Sequence, residues 1–221
     1  MRRVPEPELM DDPAQALAYA GADFSEPHGM FIDKFRDLFP KANITGKVLD
    51  LGCGPADIAI RFARAYPRCH IDGVDGADCM LVQGQLALDR AGLNERIRLL
   101  HGCIPTLSLP RDSYDIIISN SLLHHLKDAA SLWQTVKKFG GLGTCVFVMD
   151  LRRPPDTAAA WDLVNIHAAG EPSILKQDFY NSLCAAYEPD EIKQQLKNAG
   201  LGHFVLEVIS DRHIIVYGCL A

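Results

Sequence analysis

Apolar residues follow one another along the chain in two alternating spacings. Residues 48–51 are almost continuously apolar, which indicates a strand covered on both faces. Ile58, Ile60 and Phe62 follow at a spacing that suits a helix. Strand-like segments then recur between helix-like ones, and this alternation predicts an α/β fold with a mostly parallel sheet. The further strands are predicted at residues 70–74, 96–101, 114–119, 144–149, 204–209 and 213–217.

The helices are predicted between these strands, and prolines and glycines mark their ends. The helix after the first strand stops at Pro67, and the helix over 78–91 ends at Gly92, where a left-handed residue commonly closes a helix. A glycine turn at 140–143 is expected to lead into the fifth strand. The remaining helices are predicted at residues 14–20, 31–39, 131–139, 157–168, 176–186 and 190–199.

Three segments depart from this rhythm. Residues 1–12 combine prolines with charges and are predicted to be a loose tail, and residues 19–28 are predicted to be irregular. Residues 152–187 insert helical stretches after the fifth strand, where the alternation would place one helix. We predict a helical N-terminal segment over residues 1–43 and one main domain over residues 44–221.

Composition narrows the class of protein. The chain has 221 residues, is 48% hydrophobic and carries a net charge of −6, so it suits one sizeable α/β domain and lacks a basic footprint for nucleic acid. Its longest apolar runs, such as 145–149, are too short to cross a bilayer, and no apolar stretch follows Met1, Arg2 and Arg3 as in a signal peptide. We therefore expect a cytoplasmic protein without membrane or nucleic-acid partners. Seven cysteines without a C-x-x-C pair do not suggest a metal knuckle.

Candidate chemistry begins where the first strand ends, in the run Asp50-Leu51-Gly52-Cys53-Gly54. Two glycines permit a tight turn and let a ligand approach the backbone. A dinucleotide fingerprint would place a third glycine where Asp57 stands. The carboxylate of Asp50 suits an ammonium group better than a diphosphate. Asp75 ends the second strand, where an acidic side chain accepts hydrogen bonds from a ribose diol.

These residues resemble motif I of the class I, Rossmann-like methyltransferases that use S-adenosylmethionine (SAM). The resemblance implies that Asp50 holds the amino group of the methionine part. Residues 76–81 resemble the family's D-x-S-x-x-M-L pattern, which implies that Met80 packs against adenine. Residues 120–126 resemble its S-x-L-H-H-L segment. The resemblance covers residues 44–218 and implies a seven-stranded sheet with helices on both faces and an antiparallel last strand.

The resemblance also implies a role for the segments outside the sheet. The insertion at 152–187 is interpreted as a lid, and residues 1–43 as folding over the cofactor site. Cys103 stands where the family usually has an aspartate that contacts the adenine amino group. The sequence therefore does not identify the partner of that amino group. The predicted cofactor-binding residues are Tyr19, Asp50, Gly52, Cys53, Gly54, Asp75, Gly76, Met80, Gly102, Cys103, Ile104, Asn120 and Ser121.

Methyl transfer needs alignment and exclusion of water, and needs a base only if the acceptor loses a proton. The candidate catalytic residues are His124, His125 and Tyr180, and the candidate substrate contacts are His28 and Arg152. Each also has a purely structural explanation. The adjacent histidines could cap a helix, and His28 could be a surface side chain. Tyr180 could belong to an aromatic cluster, and Arg152 could lie in a solvated turn. No metal is predicted.

The combined prediction is a SAM-dependent methyltransferase that acts on a small molecule and releases S-adenosylhomocysteine (SAH). The N-P-P-Y motif of many DNA and protein-glutamine methyltransferases is absent, and residues 119–122 occupy its place. Three alternatives stay open: a nucleotide-dependent oxidoreductase, a non-catalytic subunit with the SAM fold, and an RNA methyltransferase that needs a partner. The sequence does not determine whether the methyl group is transferred to O, N, C or S. It also leaves the oligomeric state open, with a homodimer as one possibility.

Overall fold

The computed structural model describes residues 1–40 and 44–221. The strands form one seven-stranded sheet in the order β3-β2-β1-β4-β5-β7-β6. Strands β1 to β5 run parallel, and β7 runs antiparallel to both of its neighbours, as predicted. The strands are Gly46–Leu51 (β1), Cys69–Asp75 (β2), Ile97–His101 (β3), Tyr114–Asn120 (β4), Gly140–Leu151 (β5), Val205–Val208 (β6) and His213–Cys219 (β7).

Helices cover both faces of the sheet because alternate residues of each strand point to opposite sides. On one face, Val48 packs in a core with the helices over residues 25–38, 57–65 and 78–91. On the other face, Leu49 and Leu51 pack with the helices over residues 130–139 and 189–198. The helices are Pro13–Gly21 (α1), Ser25–Leu38 (α2), Asp57–Ala65 (α3), Asp78–Ala91 (α4), Ala130–Phe139 (α5), Thr157–His167 (α6), Ser173–Ala185 (α7) and Pro189–Asn198 (α8).

Helix α2 is fixed to the sheet by aromatic rings. Phe31 meets Phe147 of β5 edge-on with ring centroids 4.8 Å apart, and Phe35 meets the same ring at 5.8 Å. All three side chains are completely buried.

Helix α2 is longer than predicted: it begins at Ser25, and α1 extends to Gly21, so within the predicted irregular segment 19–28 only residues 22–24 are not helical. Tertiary contacts hold the first turn of α2, since His28 contacts Asp57 and Glu26 pairs with Arg212.

The N-terminal tail also differs from its prediction. Residues 1–12 have no regular secondary structure but are not loose. The Arg3 guanidinium donates to the carbonyl oxygens of Ala185, His124 and Leu126, and the Val4 N–H donates to the Cys184 carbonyl. We call residues 1–12 the N-terminal strap.

Two smaller differences concern segment boundaries. The glycines at 140–143 are the first part of β5 and not a separate turn before it. The predicted boundary between residues 43 and 44 touches residues 41–43, which lie outside the described residues. Among the described residues, no helix combines the length and apolarity needed to cross a membrane.

Candidate functional site

A cavity of about 530 Å³ opens at the carboxyl ends of β1, β2, β4 and β5. Open parallel sheets bind ligands at this edge. Its lining also includes residues of the N-terminal strap, α1, α2 and the 152–187 insertion. A second cavity of about 310 Å³ adjoins it and reaches Asp50 and Cys53. The two cavities share Tyr19, Phe24, His28, Gly52, Gly54 and Asn120 among their lining residues.

Asp50 is the most unusual charged group at this edge. It lies on β1, is 1% exposed, and neither of its carboxylate oxygens has a hydrogen-bond partner. Burial, with the nearby negative charge of Asp75, raises the pKa of Asp50 to about 7. A buried carboxylate without a partner is costly, so this one is prepared for a cationic donor from a ligand.

The turn after β1 brings its backbone to the cavity. Gly52 has φ +73°, and a Cβ atom there would lie 2.9 Å from Cβ of Leu122, so only glycine suits the position. Gly54 has φ +49°, with open space where a Cβ would stand. Cys53 turns its side chain away from the turn and packs on Gly73, whose added Cβ would lie 3.1 Å from Sγ.

Asp75, at the end of β2, holds this turn in place. Its carboxylate accepts hydrogen bonds from the N–H groups of Gly54 and Ala77, both at 2.8 Å. Burial raises the pKa of Asp75, although these hydrogen bonds oppose the shift. A carboxylate offers about four lone-pair sites, so Asp75 can still accept a hydrogen bond from a ligand hydroxyl.

The predicted adenine side of the site lies next to Asp75. Met80 packs with Ala16 and Ala77. A Cβ atom at Gly76 would lie 2.8 Å from Sγ of Cys103 and 2.7 Å from Leu9 of the strap, so the chain is close-packed here. Gly76, Met80, Gly102, Cys103 and Ile104 all line the larger cavity.

Helices α1 and α2 add a wall of stacked rings. Phe24 lies 4.7 Å from the Tyr19 ring and 5.1 Å from the His28 ring, measured between centroids. His28 is buried, and its Nδ1 lies 2.6 Å from Oδ2 of Asp57. Burial alone would raise the pKa of Asp57, but hydrogen bonds from His28 and Arg61 hold it below its usual value.

The end of β4 and the segment after it lie beside this wall, with Nδ2 of Asn120 3.5 Å from Nε2 of His28. Asn120 and Ser121 line the larger cavity. Ser121 has φ +55°, an unfavourable conformation for a residue other than glycine, and the Oδ1 atom of Asn120 is buried without a partner. Strained backbone and unpaired polar atoms concentrate at ligand sites.

His124 and His125 lie in a short 3₁₀ turn, Leu123–His125, and both line the larger cavity. Nδ1 of His124 is 2.5 Å from Oδ1 of Asp150, which closes β5. Burial alone would lower the pKa of His124, but the Asp150 carboxylate raises it above the usual value. Burial and the neighbouring His124 lower the pKa of His125 to about 3, so that ring is neutral.

The structure does not bring every predicted residue to the cavity. Tyr180 stacks on Trp161 with ring centroids 4.4 Å apart, and its neighbour Phe179 lines the cavity instead. Arg152 donates to the Asp211 carbonyl and is not among the lining residues. Tyr180 packs on α6 through Trp161, and both Tyr180 and Phe179 contact the small core that includes Val164 and Leu183.

Sequence reasoning also missed polar residues at the site. Glu6 of the strap lies beside both histidines, and Asp150 anchors one of them. The end of a parallel strand is a signal that could have identified Asp150. No signal in the sequence pairs Glu6 with a loop more than a hundred residues away.

Comparisons with known proteins agree with this geometry. A family model described as a methyltransferase domain matches residues 48–141. An uncharacterized methyltransferase of Mycobacterium tuberculosis is 29% identical over 154 residues, which is 68% of this chain and 74% of that protein. Phosphoethanolamine N-methyltransferase 1 of Arabidopsis thaliana is 29% identical over 162 residues, which is 68% of this chain and 32% of that protein.

Solved structures share the fold. A SAM-dependent methyltransferase from Aquifex aeolicus superposes with a TM-score of 0.67 at 14% identity, over 95% of this chain and 99% of that chain. The plantazolicin methyltransferase BpumL, in complex with a monoazolic desmethylPZN analog and SAH, superposes with a TM-score of 0.62 at 13% identity, over 93% of this chain and 84% of that chain.

Proposed function

We propose that the chain is a class I, Rossmann-like, SAM-dependent methyltransferase and that it methylates a small molecule held in the 530 Å³ cavity. The observation that carries the proposal is the cavity itself. It joins the cofactor edge of the sheet and is bordered by α1, α2 and α7, a size and degree of cover that suit a small ligand.

The buried polar groups suit the cofactor. When bound, SAM supplies a methyl group activated by its sulfonium charge. The orphaned carboxylate of Asp50 would hold the amino group of the methionine part. Asp75 would accept hydrogen bonds from the ribose hydroxyls, and Met80 would pack against the adenine ring. Asn120 offers a further unpaired amide oxygen at the same edge.

The segments around the sheet would align the acceptor and exclude water. Phe24, just before α2, and His28 of α2 form one wall, and Phe179 of α7 lies on the insertion's side. In this proposal residues 1–40 act as one cover and residues 152–187 as the other. Methyl transfer is an in-line displacement, so its rate depends on holding donor and acceptor in line. Covers over the site would hold both in place and keep water out.

Relatives support more than one class of acceptor. The name of the Arabidopsis relative specifies phosphoethanolamine, a small molecule. Protein arginine N-methyltransferase 1 of Schizosaccharomyces pombe is 31% identical over 112 residues, and its name specifies a protein acceptor. A test therefore has to offer both classes to the enzyme at once.

The test uses SAM with a tritiated methyl group. The protein is incubated with a panel of small hydroxyl, amine and thiol compounds, mixed with total protein and total RNA, and the label is then separated by molecular size. We expect label in the small-molecule fraction with wild type and Asp37→Asn, an exposed control, and none with Asp50→Asn. Label retained on protein or RNA would contradict the proposed acceptor class.

A further inference from the structure

Two histidines and a carboxylate meet at the wall of the cavity. Oε1 of Glu6 lies 3.5 Å from Nε2 of His124 and 3.4 Å from Nδ1 of His125. The three ligand atoms all lie within 4.8 Å of one another. The side chains of Glu6, His124 and His125 are 10%, 2% and 14% exposed, so Glu6 is largely buried against the histidines.

These distances are too long for the hydrogen bonds that such groups normally form. A charge-assisted N–H···O bond is about 2.7–2.9 Å long. The contact between His124 and Asp150 is shorter still, at 2.5 Å. Oε1 of Glu6, by contrast, is buried and has no hydrogen-bond partner. Two ligand atoms bound tetrahedrally at about 2 Å from one ion are about 3.3 Å apart, close to the two distances from Glu6 to the histidines.

The surroundings orient the three groups in the manner of a metal site. Asp150 holds Nδ1 of His124, which leaves Nε2 directed at Glu6. Asp150 is itself held by the N–H groups of Leu123 and Leu151, both at 2.7 Å. A carboxylate on the far nitrogen of a histidine is the usual outer partner of a metal ligand.

The other nearby charges and contacts are compatible with a cation. Asp178 adds negative charge, while the positive charge of Arg3 is engaged by three carbonyl oxygens. Ser182 donates to Oε2 of Glu6 at 3.3 Å, which leaves Oε1 as the ligand atom. Nδ1 of His125 has a long contact of 3.4 Å to the Pro7 carbonyl oxygen, which a bound ion would replace.

We propose that Glu6, His124 and His125 bind one divalent transition-metal ion of the zinc class. Two imidazoles and one carboxylate suit zinc, iron or cobalt better than magnesium or calcium, which prefer oxygen ligands. Three protein ligands leave a coordination position for an exchangeable ligand. Both histidines line the larger cavity, so the ion lies at its wall.

The test is a titration of the full-length, chelator-treated protein with Co²⁺, followed by visible absorption without SAM. We expect one ion per chain and no thiolate charge-transfer band. Glu6→Gln and His125→Ala should each weaken Co²⁺ binding by about 100-fold, because each removes one of three ligands. The matched controls Glu8→Gln and His70→Ala, at exposed positions, should bind as wild type does.

Circular dichroism and SAH titration of each variant separate this inference from the proposed function. Folded variants that bind SAH but lose Co²⁺ support the metal site. The inference is overturned if the wild type binds no Co²⁺, if both ligand variants bind it unchanged, or if a thiolate band places the ion on a cysteine. SAH binding in any of these cases leaves the cofactor assignment standing.

Discussion

A fully buried carboxylate without a partner, such as Asp50, lowers the stability of the protein that holds it. It persists where ligand binding depends on it, and binding then supplies the missing partner. Folding raises the pKa of Asp50 from its ordinary value of 3.8 to about 7, so the loss of stability that its charge causes depends on pH. For a group whose pKa is raised by folding, the stabilising contribution is complete below the unfolded pKa and is lost as the pH rises through the folded pKa.

Asp50→Asn should therefore stabilise the ligand-free protein while weakening SAH binding. The gain over wild type should grow between about pH 4 and about pH 7 and then level off, reaching roughly 4 kcal/mol, because each pKa unit of the shift corresponds to about 1.4 kcal/mol. Urea denaturation across this pH range measures it, and calorimetric titration measures SAH affinity. The exposed control Asp37→Asn should show neither effect. A variant that is less stable than wild type at every pH would contradict this account.

At the scale of elements, the parallel strands explain why the site forms where it does. The carboxyl ends of β1, β2, β4 and β5 place Asp50, Asp75, Asn120 and Asp150 at one edge of the sheet. The N-terminal strap completes this edge from outside the sheet. Its main anchor is Arg3, whose guanidinium contacts three carbonyl oxygens and lies 4.1 Å from the centroid of the Tyr187 ring.

Arg3→Ala should release the strap without unfolding the domain. Hydrogen bonds from a charged donor contribute roughly 1.5–3 kcal/mol, so amide exchange at Val4 should accelerate by about 10- to 100-fold. The melting temperature should change little, because the strap can open locally while the two main cores stay packed. Hydrogen exchange with mass spectrometry measures this effect, and Arg2→Ala, at an exposed position, is the control. Unchanged exchange in Arg3→Ala would show that other contacts hold the strap.

At the scale of the whole molecule, one ring connects the sheet to the site. Phe147 of β5 is completely buried and packs against Phe31 and Phe35 of α2. The same helix presents His28 to the cavity. The stability of the core and the position of this wall are therefore linked through one contact region.

Phe147→Ala should cost about 3–5 kcal/mol of unfolding free energy, because it leaves a cavity in the core. For a chain of this length the melting temperature should fall by roughly 10 °C. Saturating SAH should recover about 3 kcal/mol at a hundred times its Kd. Thermal and urea denaturation measure both effects, with the exposed Val208→Ala as control. A loss below about 1 kcal/mol would show that the core closes over the missing ring.

Much of the fold could be predicted because its information is local. The seven strands and the helices between them follow from apolar spacing, and the Asp50–Gly54 turn follows from a five-residue motif. The ends of elements were less predictable. Helix α2 extends to Ser25 because tertiary packing orders residues that have weak helical signals of their own.

The sequence by itself therefore determined the α/β architecture, the glycine turn, and the acidic side chains near the ends of the first two strands. Only the tertiary structure decided that Tyr180 packs on Trp161 while Phe179 faces the cavity, because the orientation of α7 depends on the helix beside it. It also decided that Glu6 meets His124 and His125. Contacts between segments so far apart in the chain depend on how whole elements pack, and no local pattern encodes them.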